Sequence, residues 1–301
     1  MKALLTGANG FLGKHLVSKL NSTGCKVYSL GRVKTENTNF FHLGSLEDKE
    51  KIKKCLSDIK PDYLFHLAGS VSNDEAESKK VNADFAKNIL EAIDKCDLAK
   101  TTRVLIVGSA SEYGEINLKD MPIKESLKPE PFNTYGNMKL RQTQLSLDWS
   151  SEENFIVIVR PFNIIGPEMP TFLAVGSFMD QIHSMKSCGE ILVGNINSQR
   201  DYIDVDDVCS IFWELLNCDD ANGEIINICS GKPRKINEIL DFLVINSDKN
   251  IKITIDKNLI RAKDMPVHYG DNSKLITLLG NFKFTPWSNT LRKLIGNNLK
   301  I

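Results

Sequence analysis

The chain has 301 residues, 42% hydrophobic and 25% charged, with 38 basic against 38 acidic side chains and a formal net charge of zero; this is the composition of a globular protein with a sizeable core, and it offers no basic field for a nucleic-acid backbone. Seven scattered cysteines, never spaced C-x-x-C, argue against a zinc site or a disulfide framework and for reduced thiols in a cytosol. Apolar runs such as "FIVIV" are too short to span a bilayer, and "MKALLTGANG" lacks the features of a secretory leader, so a cytoplasmic protein without membrane partners is expected.

Short β-rich runs recur along the chain: "ALLTG" (3–7), "KVYSL" (26–30), "DYLFHLA" (62–68), "RVLIVGS" (103–109) and "FIVIVR" (155–160). Helical patterns lie between them at 11–21, 47–59, 82–97 and 134–151. Strands that are apolar throughout and alternate with helices predict a parallel sheet covered on both faces. The expected fold is therefore α/β, a doubly wound Rossmann-type domain over 1–166 with 201–220 returning to it. A smaller C-terminal α/β domain is expected over 167–301. Ligands of such a sheet lie beyond the carboxyl ends of its strands.

The first strand ends in "TGANGFLG". Gly7, Gly10 and Gly13 have the spacing of a tight turn that brings backbone N–H groups and a helix N-terminus onto a pyrophosphate, with Asn9, Phe11 and Leu12 in the same turn. The second strand ends "VYSLGR", with no acid before Glu36 to hold a ribose 2′-hydroxyl. Arg32 can instead fork onto a 2′-phosphate, which favours NADP(H), with NAD(H) the alternative. The third strand ends "HLAGS", where His66 could serve as an acid or base or simply occupy the core. The fourth ends "GSASEYG", placing Ser109 and Ser111 at the same edge. Further on, "NTYGNMKLRQ" sets Tyr135 and Lys139 one helical turn apart, the only Tyr of the six with a Lys at i+4.

Taken in order, these motifs resemble the extended short-chain dehydrogenases/reductases, the NAD-dependent epimerase/dehydratase family, over nearly the whole chain. The resemblance implies a nucleotide diphosphate sugar as substrate and a nicotinamide cofactor. It makes Ser109 the active hydroxyl, with Ser111 as the alternative. It makes Tyr135 the acid–base group and Lys139 the partner that binds the nicotinamide ribose and stabilises the phenolate. A cation at roughly 5 Å with an effective dielectric of about 20 contributes on the order of 3 kcal/mol, which would lower a tyrosine from its ordinary value near ~10 by roughly two units. Around the cofactor the family pattern adds Ser45 and Leu46, where Ser45 replaces the usual Asp of the adenine stretch, then Leu67, Ala68, Gly69 and Pro161. His66 is structural in that pattern, as are Asn82 and the "DNSKLITLLG" helix. Gly136 is expected to leave space beside Tyr135 for nicotinamide and substrate. Asn163 of "RPFNIIGP", Arg200 of "RDYIDVDD" and Arg261 of "RAKDMP" match substrate-binding positions, each otherwise a solvated polar group. A homodimer pairing helices 82–97 and 134–151 is the family habit.

The reaction follows from what flanks Ser109. Dehydratases carry an acid and a base at the next two positions, here Ala110 and Ser111, with Glu112 one place late. No Cys stands near for the epimerising fucose-synthase branch. Reduction of a 4-keto sugar or redox-neutral C4 epimerisation remains; Arg32 favours a released NADPH and hence a reductase, and the motifs are most similar to the GDP-6-deoxy-4-keto-D-mannose reductase branch. The alternatives are a C4 epimerase that retains NAD, a reductase of a dTDP- or CDP-linked sugar, and a non-catalytic NADP-binding scaffold.

Overall fold

A computed structural model of the chain describes residues 1–72, 74–260, 264–280 and 282–295. In chain order the strands are β1 (Lys2–Thr6), β2 (Lys26–Gly31), β3 (Asn39–His42), β4 (Tyr63–His66), β5 (Arg103–Val107), β6 (Phe155–Pro161), β7 (Asn163–Ile165), β8 (Cys188–Val193), β9 (Gln199–Asp204), β10 (Ile225–Ile228), β11 (Pro233–Lys235), β12 (Asn250–Ile255) and β13 (Val267–His268). The α-helices are α1 (Phe11–Ser22), α2 (Lys49–Ile59), α3 (Glu75–Lys79), α4 (Phe85–Lys95), α5 (Thr134–Trp149), α6 (Ala174–Ser184), α7 (Val205–Leu215), α8 (Ile236–Ile245), α9 (Ser273–Leu279) and α10 (Trp287–Ile295).

Seven strands form the main sheet in the order β10-β6-β5-β4-β1-β2-β3, all parallel. Side chains alternate across a strand, and here both faces are apolar. Leu5, Leu105, Val157 and Val159 join one core with α1 and α7. Leu4, Val104, Ile106, Ile156 and Ile158 join a second with α2 and α4. Burying each of these side chains is worth about 1.5–3 kcal/mol, which is why these runs settle in the centre of a doubly wound sheet. The strand order reverses between β1 and β4, so the crevice at their carboxyl ends is the topological switch point.

Several elements differ from the sequence expectation. The strands stop before their terminal glycines: Gly7 takes φ +69°, and Gly108 and Ser109 lie beyond β5. β3 has no apolar run to announce it; its four residues are exposed or half-buried. The helix expected from 82 begins at Glu75, joined to α4 by a π-turn over Lys80–Asp84. There Asn82 donates to the Ser78 carbonyl at 3.0 Å and to the Ser70 carbonyl at 2.8 Å, a side chain competing for the helix's own acceptors. β10, placed by sequence in the smaller unit, pairs with β6 at the edge of the main sheet.

The second region combines a small sheet of β11, β9, β13 and β7 with a β8–β12 pair. Its core holds Ile165, Phe178, Tyr202, Ile239 and Leu240 among others. Among the described residues no helix is long and apolar enough to cross a membrane.

Candidate active site

The glycine turn is built by close approach. A Cβ on Gly7 would lie 2.7 Å from the Ala68 nitrogen, and one on Gly13 would be driven into the Gly7 carbonyl. Gly10 closes the turn, its N–H donating to the Gly7 carbonyl at 3.1 Å. Gly10 is also the N-cap of α1 with no side-chain cap, so the first-turn N–H groups of α1 are claimed by no capping side chain. Thr6 links the two strand ends: its hydroxyl bonds His66 Nδ1 at 2.9 Å and accepts from the Ala68 N–H at 3.3 Å. His66 is fully enclosed, and burial, aided by Lys139, lowers it to about 3. It is neutral and part of the wall. This cradle fits a dinucleotide pyrophosphate.

Around it, Phe11 lines the main cleft, Leu12 packs on the core and Asn9 is exposed. Arg32 is exposed beyond β2. Leu46 departs from expectation in that its side chain is withdrawn into the core, leaving Ser45 as the half-buried member of that pair. Leu67 packs at the base of the crevice. Gly69 is held close to Lys139: a Cβ there would lie 3.2 Å from Lys139 Nζ and 3.2 Å from Asn82 Oδ1.

Ser109 opens a short turn over Ala110–Glu112, its Oγ accepting from the Ser111 N–H at 3.1 Å. Ser109 and Tyr135 both line the cleft, and Ser111 does not. α5 starts where the Asn133 side chain accepts from the Gly136 N–H at 2.7 Å, an N-cap that offsets the poor helix propensity of the first turn. A Cβ on Gly136 would lie 2.6 Å from the Ser111 carbonyl. Gly136 therefore accommodates the Ser109 turn.

Lys139 is buried, with Nζ donating to the Val107 carbonyl at 2.8 Å and to Gln142 Oε1 at 2.9 Å. Burial lowers it to about 8 against an opposing pull from Glu112. Burial raises the Tyr135 phenol above its ordinary value, its hydrogen bond with Ser109 pulls it down, and Glu112 pushes it up again. The protein's own groups thus hold Tyr135 protonated; the lowering expected from Lys139 does not enter that balance, and Lys139 Nζ donates instead to Val107 and Gln142. Tyr113 is no competitor. It is fully buried, its hydroxyl donates to Asn227 at 2.7 Å, and burial pushes it up to about 12.

Two buried charges escaped the sequence reading as a unit. Glu112 pairs with Arg160 at 2.8 Å, both almost wholly enclosed, and Glu112 Oε1 accepts the Ser109 N–H at 2.9 Å. The only sequence signal was the position of Glu112 before Tyr113.

The cleft has a volume of about 730 Å³ and runs from Ser109, Tyr135 and Pro161 to Asn163 and Arg200. Asn163 donates to the Asp201 carbonyl at 3.0 Å. Arg200 is ion-paired with Asp264 and also donates to the Gln199 and Met265 carbonyls, each at 2.8 Å. Asp264 lines the cleft too and was not singled out from "RAKD". Arg261 lies outside the described residues. Asp201, also missed, is the pin of the region. It accepts from Ser230 N at 2.8 Å and Gly231 N at 3.0 Å.

Residues 3–229 match the model of the NAD dependent epimerase/dehydratase family. The chain is 30% identical over 283 residues to the GDP-6-deoxy-D-mannose reductase of Pseudomonas aeruginosa, covering 91% of this chain and 89% of that protein. It is 30% identical over 303 residues to the GDP-6-deoxy-D-talose 4-dehydrogenase of Aggregatibacter actinomycetemcomitans, covering 99% and 98%. Among solved structures, RMD from Pseudomonas aeruginosa complexed with NADPH superposes with a TM-score of 0.81 at 27% identity, covering 97% of this chain and 96% of that one. With the family model spanning the sheet, the glycine turn and the Ser–Tyr–Lys crevice, the chain belongs to the NAD dependent epimerase/dehydratase family and is an NAD(P)-dependent oxidoreductase of the nucleotide-sugar type.

Proposed function

We propose that the chain is an NADPH-dependent reductase of a GDP-linked 4-keto-6-deoxy sugar. The observation that carries this reading is the contrast within one turn: Ser109 lines the cleft beside Tyr135, while Glu112, the one carboxylate of that turn, is sealed in an ion pair with Arg160. A site with a hydroxyl and a phenol but no free carboxylate suits carbonyl reduction better than loss of water.

The glycine turn and the first turn of α1 would hold the pyrophosphate, Arg32 the 2′-phosphate, Ser45 the adenine side, and Lys139 with Gly69 the nicotinamide ribose. NADPH supplies the hydride to C4. Ser109 donates a hydrogen bond to the C4 oxygen and orients the carbonyl. Tyr135, held protonated by burial, gives its proton to that oxygen as it becomes a hydroxyl. Lys139, a cation below about 8, stabilises the resulting phenolate. At the far end Arg200 and Asn163, which line the cleft, would meet the diphosphate and sugar; Arg261 is a further candidate on its sequence motif alone. The relatives named for a mannose reductase and a talose dehydrogenase differ at the C4 hydroxyl, so the configuration of the product is the finer point.

The enzyme is further proposed to act in the cytoplasm as a homodimer through α4 and α5. The buried face of α5 is polar, with Lys139, Gln142, Thr143 and Ser146, and Leu140 and Leu145 are left half-buried and Leu147 exposed.

The test is NADPH and NADH oxidation against GDP-, dTDP-, CDP- and UDP-linked 4-keto-6-deoxy sugars, with the product resolved at C4. GDP-linked substrate and NADPH should give the highest kcat/KM. Stoichiometric NAD in the purified protein, with no oxidation of added NADPH, would move the reading to an epimerase.

A further inference from the structure

Glu112 makes three bonds to three different elements. Oε1 accepts the backbone N–H of Ser109 at 2.9 Å. Oε2 accepts the Thr143 hydroxyl at 2.9 Å and Arg160 Nε at 2.8 Å. Tyr135, Lys139 and Thr143 stand at i, i+4 and i+8 and so share one face of α5. The carboxylate therefore joins the active hydroxyl, the helix of the acid and the strand beneath them. The site is built around it: a Cβ on Gly108 would run into Glu112 Oε1 and stand 3.4 Å from Thr143 Oγ1. Arg160 is steadied in turn, its guanidinium lying 4.7 Å from the centre of the Tyr113 ring.

Both charges are almost wholly enclosed, at 2% and 0% side-chain exposure, and neither lines the cleft. Burying an ion pair is costly, and apolar residues of similar volume would often be as stable or more so. Here the carboxylate of the pair bonds the Ser109 turn and the helix of Tyr135 and Lys139, which points to a role in holding the site.

We propose that Glu112 is a positioning residue of this active site: fixed by Arg160, it locks the Ser109 turn to the helix that carries Tyr135 and Lys139. The inference rests on the reductase reading for its kinetic test only. The carboxylate also balances charge. Glu112 acts on both Tyr135 and Lys139, and His66 from β4 faces Lys139; Arg160 from β6 and Tyr113 from the turn after β5 stand behind Glu112. Glu112 is the negative one, and it favours the protonated form of both Tyr135 and Lys139.

The experiment uses the full chain with three variants: Thr143→Val, Glu112→Gln, and Glu112→Gln combined with Arg160→Met. The readouts are NADPH affinity by fluorescence, kcat against pH, thermal midpoint, and phenolate absorbance of Tyr135 with Tyr135→Phe as the blank. Glu112→Gln should lower kcat about 10²-fold, the scale of a small misplacement of catalytic groups, with NADPH affinity held within about threefold. Its alkaline limb and its phenolate titration should both move about one pH unit lower, because a negative neighbour has gone. In the double variant the titration should return towards wild type while kcat stays low, separating charge from geometry. Thr143→Val should lower kcat about tenfold without moving the titration. If Glu112→Gln does not fold, the other two variants decide. Wild-type kcat and an unmoved titration in the folded variants would overturn the proposal, as would equal losses in kcat and NADPH affinity. A wild-type chain that reduces no sugar would sink the reductase reading, and the phenolate titration would still decide this one.

Discussion

The two walls of the cleft are made in different ways. The wall at the strand ends is set by backbone contact and buried polar bonds: Gly7 against Ala68, Thr6 between two strands, Lys139 on the Val107 carbonyl. The opposite wall, from Phe172 to Asp264, exposes large apolar side chains, with Phe172 at 65% and Leu259 at 52% accessibility, and its central charge is held by a side chain, Arg200 on Asp264. Groups whose placement is dictated by the sheet suit bond-making, where small displacements are costly. Groups held by side chains at a more open surface suit the recognition of a large polar substrate. Changes on the first wall should therefore act on kcat, and changes on the second on KM.

The largest effect expected is at Tyr135. Tyr135→Phe removes the proton donor while leaving the ring, so kcat should fall about 10³-fold, within the range for loss of a general acid. NADPH affinity should stay within a few-fold. Near-normal turnover in steady-state assays would break the assignment of the first wall to chemistry.

The next effect belongs to the second wall. Arg200→Met takes the counter-charge from Asp264, which keeps its neutral bond from Asn195 at 2.7 Å, and Asp264→Asn takes that counter-charge from Arg200. Truncating one member of such a pair costs about 2–5 kcal/mol. KM for the nucleotide sugar should rise on the order of 10²-fold in Arg200→Met, with kcat changed far less. Asp264→Asn should raise KM less than Arg200→Met, since the guanidinium stays to meet the diphosphate. A loss confined to kcat in either variant would place Arg200 with the catalytic wall and erase the distinction.

The two walls also differed in how readily the sequence disclosed them. The crevice was legible because its chemistry is short-range: Gly7 to Gly13, and Tyr135 to Lys139, are patterns within one or two turns. The strands were legible because burial on both faces leaves short runs that are mostly apolar. β3 was hidden since an edge strand with exposed residues carries no such signal, and the place of β10 in the main sheet was hidden because its pairing with β6, Ile225 against Ile158, leaves no local trace. The Glu112–Arg160 bond spans 48 positions, and Arg200 with Asp264 spans 64; neither spacing has a period that could be read. Glycine posed the opposite difficulty. Gly136 was marked as small, yet only the fold reveals that a side chain there would meet the Ser111 carbonyl, and that one on Gly69 would crowd Lys139.

The smallest effect tests whether the walls are equally dry at their base. Each has an enclosed histidine. His66 lies beneath the crevice and is lowered to about 3 by burial and Lys139. His268 lies beside Arg200, its ring 5.2 Å from that of Phe162, and is lowered to about 4 by burial and that guanidinium. A base whose folded pKa lies below its unfolded value of about 6.5 gives its full stability above that value, and the contribution is lost as the pH falls towards the folded value. Between pH 7.5 and pH 5 each histidine should therefore cost roughly 2 kcal/mol of unfolding free energy, because the unfolded chain takes up a proton that the native chain refuses. Urea titrations at the two pH values measure that difference. His268→Phe keeps an aromatic ring in place and should remove about half of the loss while leaving the contribution of His66 intact. An unchanged pH dependence in His268→Phe would mean that water reaches His268 in the native protein, and that the second wall is open at its base as well as at its rim.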